Sequence, residues 1–173
     1  MTKRVRMTSV YLALLTLFVA PGGSSAVAEG AADRLWTEEF LGPLQFGMSA
    51  AAVQQAIGSP ASKSKPQLEQ ASGDWTSTWS YPALGAEVGM SARSKSARPT
   101  VGSLVVHEPS AWVTSRKVGL GASRSTVTRA YPKKLWDESS TEERLVVGTV
   151  YGGITFTFVN KKVSEIFFGA SAE

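Results

Sequence analysis

Hydrophobic and polar positions follow two rhythms along this chain, and the change from one to the other marks out its elements. In Gly47-Met48-Ser49-Ala50-Ala51-Ala52-Val53-Gln54-Gln55-Ala56-Ile57, the apolar Val53 and Ile57 lie four residues apart, on one side of a helix. Ser49 is placed to cap the first turn, and Gly47 lets the chain turn sharply into it. The run Gly121-Ala122-Ser123-Arg124-Ser125-Thr126-Val127-Thr128-Arg129-Ala130-Tyr131 repeats the pattern without gaps, with Val127 and Tyr131 on the shared side. After each predicted helix the rhythm shortens. Trp75 to Tyr81, Gly85 to Met90 and Val101 to His107 follow the first; Arg144 to Tyr151, Ile154 to Val159 and Val163 to Phe168 follow the second. These runs are rich in Val, Thr and aromatic residues, and Pro82, Pro99, Gly152-Gly153 and Asn160-Lys161-Lys162 punctuate them, so they read as strands.

The two halves align further: Val101 to Val106 sits opposite Val163 to Phe168. Each half therefore reads as a helix followed by a three-stranded meander. A unit of about 60 residues is marginal alone, because it buries too little of its surface. The expected fold is α+β: two tandem helix-plus-three-stranded-meander repeats forming one antiparallel sheet of about six strands, with both helices on one face. The unit boundaries fall at 29–110 and 111–173, with residues 108–117 crossing between them. Residues 61–72 and 91–99 read as polar loops.

Alternation assigns faces to the strands. Trp75, Ser77, Trp79 and Tyr81 share one side of the first strand, and Thr76, Thr78 and Ser80 the other. The aromatic side either packs beneath the helices or stays open, where Trp and Tyr would anchor a protein partner. In the last strand, Val163, Glu165 and Phe167 alternate with Ser164, Ile166 and Phe168, so both sides carry a Phe, and one of them must be either covered by something else or available for contact. Trp112 in the crossover and Trp136 in Lys133-Lys134-Leu135-Trp136-Asp137 either plug an edge or add contact area.

The N-terminus changes the charge picture. Lys3, Arg4 and Arg6 precede an apolar run from Val10 to Ala20, and small residues follow through Ala26-Val27-Ala28. This is the layout of a signal peptide over residues 1–28, cleaved after Ala28, and the run is too short to span a bilayer, which takes roughly 20 residues. The whole chain of 173 residues carries 18 basic and 14 acidic side chains; without the three early cations, 15 remain against 14. A near-neutral mature chain, secreted or periplasmic, lacks the basic footprint of a nucleic-acid binder and is expected to make no stable membrane insertion after cleavage.

Composition narrows the chemistry. The chain has no cysteine, which leaves no disulfide, thiolate ligand or cysteine nucleophile. The single histidine, His107, stands at the end of a predicted strand and reads as a surface residue rather than a catalytic base. Glu38-Glu39, Asp137-Glu138 and Glu142-Glu143 are adjacent acidic pairs, read as solvated surface rather than as paired catalytic carboxylates. Gly119-Leu120-Gly121 lacks the remainder of a phosphate loop and reads as a helix start. No catalytic residue, cofactor or metal is therefore expected.

The segment Leu44-Gln45-Phe46-Gly47-Met48-Ser49 with Val53 and Gly58, repeated more loosely as Val118-Gly119-Leu120-Gly121-Ala122-Ser123 with Val127, resembles the secreted β-lactamase inhibitor protein family. It is also similar to the domain of the outer-membrane assembly lipoproteins. The first resemblance implies a tandem helix-plus-sheet fold and an acidic residue on the first hairpin loop that reaches an enzyme's active site, a place matched here by Asp74 in Gly73-Asp74-Trp75. It implies a non-catalytic module binding an extracytoplasmic protein, an inhibitor of β-lactamase or penicillin-binding-type enzymes. Asp74 and Trp75 would enter the site, and Trp79, Tyr81, Trp112, Trp136 and Tyr151 would supply contact area. The second resemblance implies the alternative, a structural or assembly component of the cell envelope.

Overall fold

The structure is a computed structural model that describes residues 38–149 and 152–170; the expected signal peptide and Tyr151 lie outside them. Both predicted helices form, α1 over Ala50–Ile57 and α2 over Arg124–Ala130. Their starts follow the anticipated chemistry. The Ser49 hydroxyl accepts from Ala52 N–H and the Ser123 hydroxyl from Thr126 N–H, each at 3.2 Å. Gly47 and Gly121 take φ of +74° and +75°, which a residue with a Cβ adopts only under strain.

Eight strands form one sheet: β1 (Ser62–Lys63), β2 (Gln67–Leu68), β3 (Trp75–Tyr81), β4 (Ala86–Ala92), β5 (Thr100–His107), β6 (Arg144–Thr149), β7 (Gly152–Val159) and β8 (Lys162–Gly169). Their order is β1-β3-β4-β5-β8-β7-β6, with β2 also lying against β3, and every pairing is antiparallel. Six of these match the predicted runs. The other two come from the segment read as a loop, which lays β1 and β2 along the outer edge of β3. At the β7–β8 hairpin, Asn160 and Lys161 both have positive φ, so a two-residue turn follows the right-handed twist of its strands.

Registers assign the faces. Trp79, Val88, Leu104, Phe168, Ile154 and Val147 form a row across the sheet from β3 to β6. Tyr81, Ala86, Val106, Ile166, Phe156 and Leu145 form a second. All of these side chains are buried, in one cluster with Val53 of α1 and Val127 of α2, so both helices cover this same face. Strict alternation fails at two places. Gly102 and Ser164 are extra residues at bulges where β4–β5 and β7–β8 change register. Val163 therefore joins Ile166 and Phe168 in the core, rather than sharing a face with Phe167 as simple alternation has it.

The same backbone clip precedes each helix. Gly47 N–H donates to Val101 O at 2.9 Å and Val101 N–H to Met48 O at 2.9 Å. Gly121 N–H donates to Val163 O at 2.8 Å and Val163 N–H to Ala122 O at 3.0 Å. Each clip holds a helix start against the residue just before a bulge.

Leu41 and Leu44, ahead of α1, are fully buried, and Glu39 anchors that segment. Read from sequence as solvated surface, Glu39 is only 2% exposed. Its carboxylate takes Arg116 Nε at 2.8 Å, a hydrogen bond from the Ser115 hydroxyl, and one from the Tyr131 hydroxyl at 3.3 Å. Arg116 also donates to Ala130 O and lies over the Tyr131 ring, closing the network. Burial, and then the negative charge of Glu39, push the Tyr131 phenol well above its ordinary value. Partners this distant in the chain leave no local signature.

Candidate functional site

Neither α1 nor α2 covers the other face of the sheet, which is concave. Thr76 and Thr78 of β3, Gly89 and Ser91 of β4, Ser103 of β5, Phe167 and Glu165 of β8, Thr155 and Thr157 of β7 and Arg144 of β6 line a trough of about 860 Å³. Small and hydroxyl-bearing side chains make the floor because this face needs no apolar partner, and Thr is favoured on a pleated surface. Gly89 keeps the floor low: a Cβ there would meet the Ser103 hydroxyl.

Charge is distributed unevenly around it. Glu69, Asp74 and Glu165 contribute three carboxylates and Arg144 a guanidinium. Asp74 is half-buried at one end, where its Oδ2 accepts from the Ser91 hydroxyl at 2.7 Å. Its backbone N–H donates to the Ser72 hydroxyl, which in turn donates to Glu69 Oε2 at 2.7 Å. These bonds hold Asp74 in one orientation facing the trough, with carboxylate lone pairs left to accept from a partner.

The outer edges of β3 and β6 are both covered, so a partner cannot pair with either of these two strands directly. On β3, Ala61 N–H donates to Ser80 O and Ser64 N–H to Thr78 O, each at 2.9 Å, and β1 and β2 continue the cover. On β6, Asp137 N–H donates to Val146 O at 2.9 Å and Thr141 N–H to Arg144 O at 2.7 Å. The Ser140 hydroxyl accepts from Val146 N–H at 3.1 Å. Edge covering of this kind protects against aggregation and leaves the trough's side chains as the accessible recognition surface.

Of the described residues expected to bind a partner, Asp74 alone lines the trough. Trp75 projects to the opposite face, since neighbouring strand residues point apart, and is half-buried there. Trp79 and Tyr81 are each 5% exposed and belong to the core beneath the helices rather than to an open contact surface. Lys63 Nζ stands 3.9 Å over the Trp79 ring, and the Tyr81 hydroxyl donates to Gly58 O at 3.2 Å. Trp112 packs over Gly42, where any Cβ would collide with the indole. Trp136 donates its indole N–H to Tyr131 O at 2.7 Å and pairs along β6, closing that edge. Tyr151 lies outside the described residues.

The trough residues absent from the expected set were visible only as the polar half of an alternation. Phe167 was the stronger signal, an aromatic on the side opposite Phe168. His107 is exposed at the end of β5, its Nδ1 2.8 Å from Glu108 O; a carbonyl only accepts, so that nitrogen carries the proton. Among the described residues, no group of three His, Asp or Glu side chains is placed to hold a metal ion. No family model matches the chain, and neither the curated proteins nor the solved structures contain a significant match.

Proposed function

We propose that this chain is a secreted or periplasmic, non-catalytic protein-binding module that takes a projecting segment of an extracytoplasmic protein into its trough. The observation that carries the reading is the concave face that α1 and α2 leave open, in a sheet whose other face they cover and whose β3 and β6 edges are occupied. A partner there meets hydroxyls, the Phe167 ring and a rim with Asp74, Glu69 and Glu165 on it, a combination suited to a segment bearing a basic or hydrogen-bond-donating group. The resemblance to β-lactamase inhibitor proteins names the partner class as β-lactamases or penicillin-binding-type enzymes, with Asp74 as the residue that reaches the site.

The finer architecture belongs to the same proposal: the fold is two copies of one unit. The paired clips at Val101 and Val163 and the bulges at Gly102 and Ser164 support it. So does the β5–β8 junction, where Val105 pairs with Phe167, its counterpart in the other half, flanked by Leu104↔Phe168 and Val106↔Ile166. That register is symmetric about the central pair, as joining two like units through like strands requires.

The test is binding and inhibition with purified protein. Micromolar association with a β-lactamase or penicillin-binding-type enzyme is expected, with loss in Asp74→Ala and Glu165→Ala while thermal unfolding stays unchanged. If neither enzyme class binds, the inhibitor reading fails; if a partner from the envelope binds and both variants bind it equally, the trough is the wrong surface.

A further inference from the structure

A second part of the surface, on the other side of the sheet from the trough, brings exposed apolar and cationic groups together. Leu68 is 45% exposed, one of two large hydrophobic side chains so placed among the described residues. The β2–β3 register sets it directly across from Trp75, so the two lie side by side on the helix-side face. Trp75 is half-buried, and Lys95 Nζ stands 5.3 Å from its ring centroid. Trp75 also pairs with Ala92, which places the β4–β5 loop at this same end of the sheet. That loop carries Arg93, Lys95 and Arg98, all exposed, and has no acidic residue; the adjoining segment adds the exposed Lys63 and Lys65. The β2–β3 turn holds two carboxylates, both already bonded: Glu69 accepts from the Ser72 hydroxyl, and Asp74, turned toward the trough, accepts from the Ser91 hydroxyl.

We propose that this end of the molecule docks on an anionic phospholipid surface. Leu68 and the edge of the Trp75 ring enter the headgroup boundary, while Arg93, Lys95 and Arg98 meet the phosphates. Cationic side chains around a small apolar tip are the chemistry of peripheral binding to anionic lipid, and indole rings favour that boundary. A soluble polyanion would engage the same cations but would give Leu68 no reason to be exposed beside them. The surface is separate from the trough, so docking there leaves the trough free for a protein partner.

The absence of cysteine makes the test specific to one residue. In the full chain, Leu68→Cys is labelled with a polarity-sensitive fluorophore and titrated with phosphatidylcholine vesicles, with and without phosphatidylglycerol. A blue shift is expected only with the anionic vesicles. The same label at Val159→Cys, on the hairpin tip between β7 and β8, is expected to stay in water. Combining Arg93→Gln, Lys95→Gln and Arg98→Gln, all exposed positions, is expected to weaken partitioning about 100-fold, each cation near an anionic leaflet contributing about fivefold. Thr157→Ala, an uncharged change in the trough away from this end of the sheet, is expected to leave partitioning unchanged, separating this surface from the trough. The proposal is overturned if the label at 68 remains in water, if the label at 159 shifts equally, or if neutral vesicles serve as well. It is likewise overturned if soluble polyphosphate reproduces the shift, which would assign the patch to a polyanion instead.

Discussion

The two faces of the sheet are built by the same strands one residue out of step, yet one is the core and the other is the candidate site. On the helix side, Trp79, Val88, Leu104, Phe168, Ile154 and Val147 make a closed apolar row. On the trough side, Thr78, Gly89 and Ser103 lie in one row across the sheet and Phe167 and Thr155 in another. Stability should therefore reside in one set of side chains and recognition in the other, although they alternate along every strand. Substitutions on adjacent residues test that division directly.

The largest contrast is expected at Phe156 and Thr157. Phe156→Ala opens a cavity in a fully buried site and should cost about 3–5 kcal/mol, while Thr157→Ala, facing the trough, should cost under about 0.5 kcal/mol. Urea unfolding of the two variants measures it, and similar losses would show that the trough face is structural.

A smaller effect is expected where polar groups enter the core. Arg116→Met leaves the Glu39 carboxylate buried with only the Ser115 and Tyr131 hydroxyls, and should cost about 2 kcal/mol; the full penalty of a broken buried pair does not apply, because Arg116 is 38% exposed. The same cluster has a pH signature. The phenol of folded Tyr131 holds its proton to higher pH than in the unfolded chain, so this stabilisation is complete below the ordinary phenol value of about 10 and falls away as pH rises above it. Tyr131→Phe should flatten this alkaline loss in a series of unfolding curves.

The helix caps give the next contrast, within one face. Ser49→Ala and Ser123→Ala should each cost about 1 kcal/mol, since each removes an acceptor from a first-turn N–H. Unequal losses in thermal melts would argue against the two halves being equivalent units. The smallest stability change is expected for Asp74→Ala, within about 0.5 kcal/mol of the parent, with its effect confined to partner binding.

The outcome at single residues shows why some elements were legible and others not. Gly47-Met48-Ser49 and Gly121-Ala122-Ser123 announce helix starts because capping is completed within three residues. Trp75 to Tyr81 announces a strand because β-branched and aromatic residues alternate there. Ser62–Lys63 and Gln67–Leu68 announce nothing, being short, polar and held only by the edge of β3. Val163 was misplaced by one step, since a bulge at Ser164 depends on the neighbouring strand. Trp79 and Tyr81 could have faced either way by pattern alone, and the helices decided against the trough. Glu39 was misread because Arg116 and Tyr131, which hold it, are far along the chain.

The sequence by itself determined where helices begin, where strands run, and that each strand has an apolar and a polar side, because those properties depend on neighbours within a turn or a pleat. Only the tertiary structure decided which side the helices cover, where bulges reset the alternation, and that Thr, Ser, Arg144 and Phe167 from six strands converge on one trough beside Asp74. Those outcomes rest on contacts between distant segments. Covering a face is settled by how much apolar surface the whole chain can bury together, and no local pattern contains that sum.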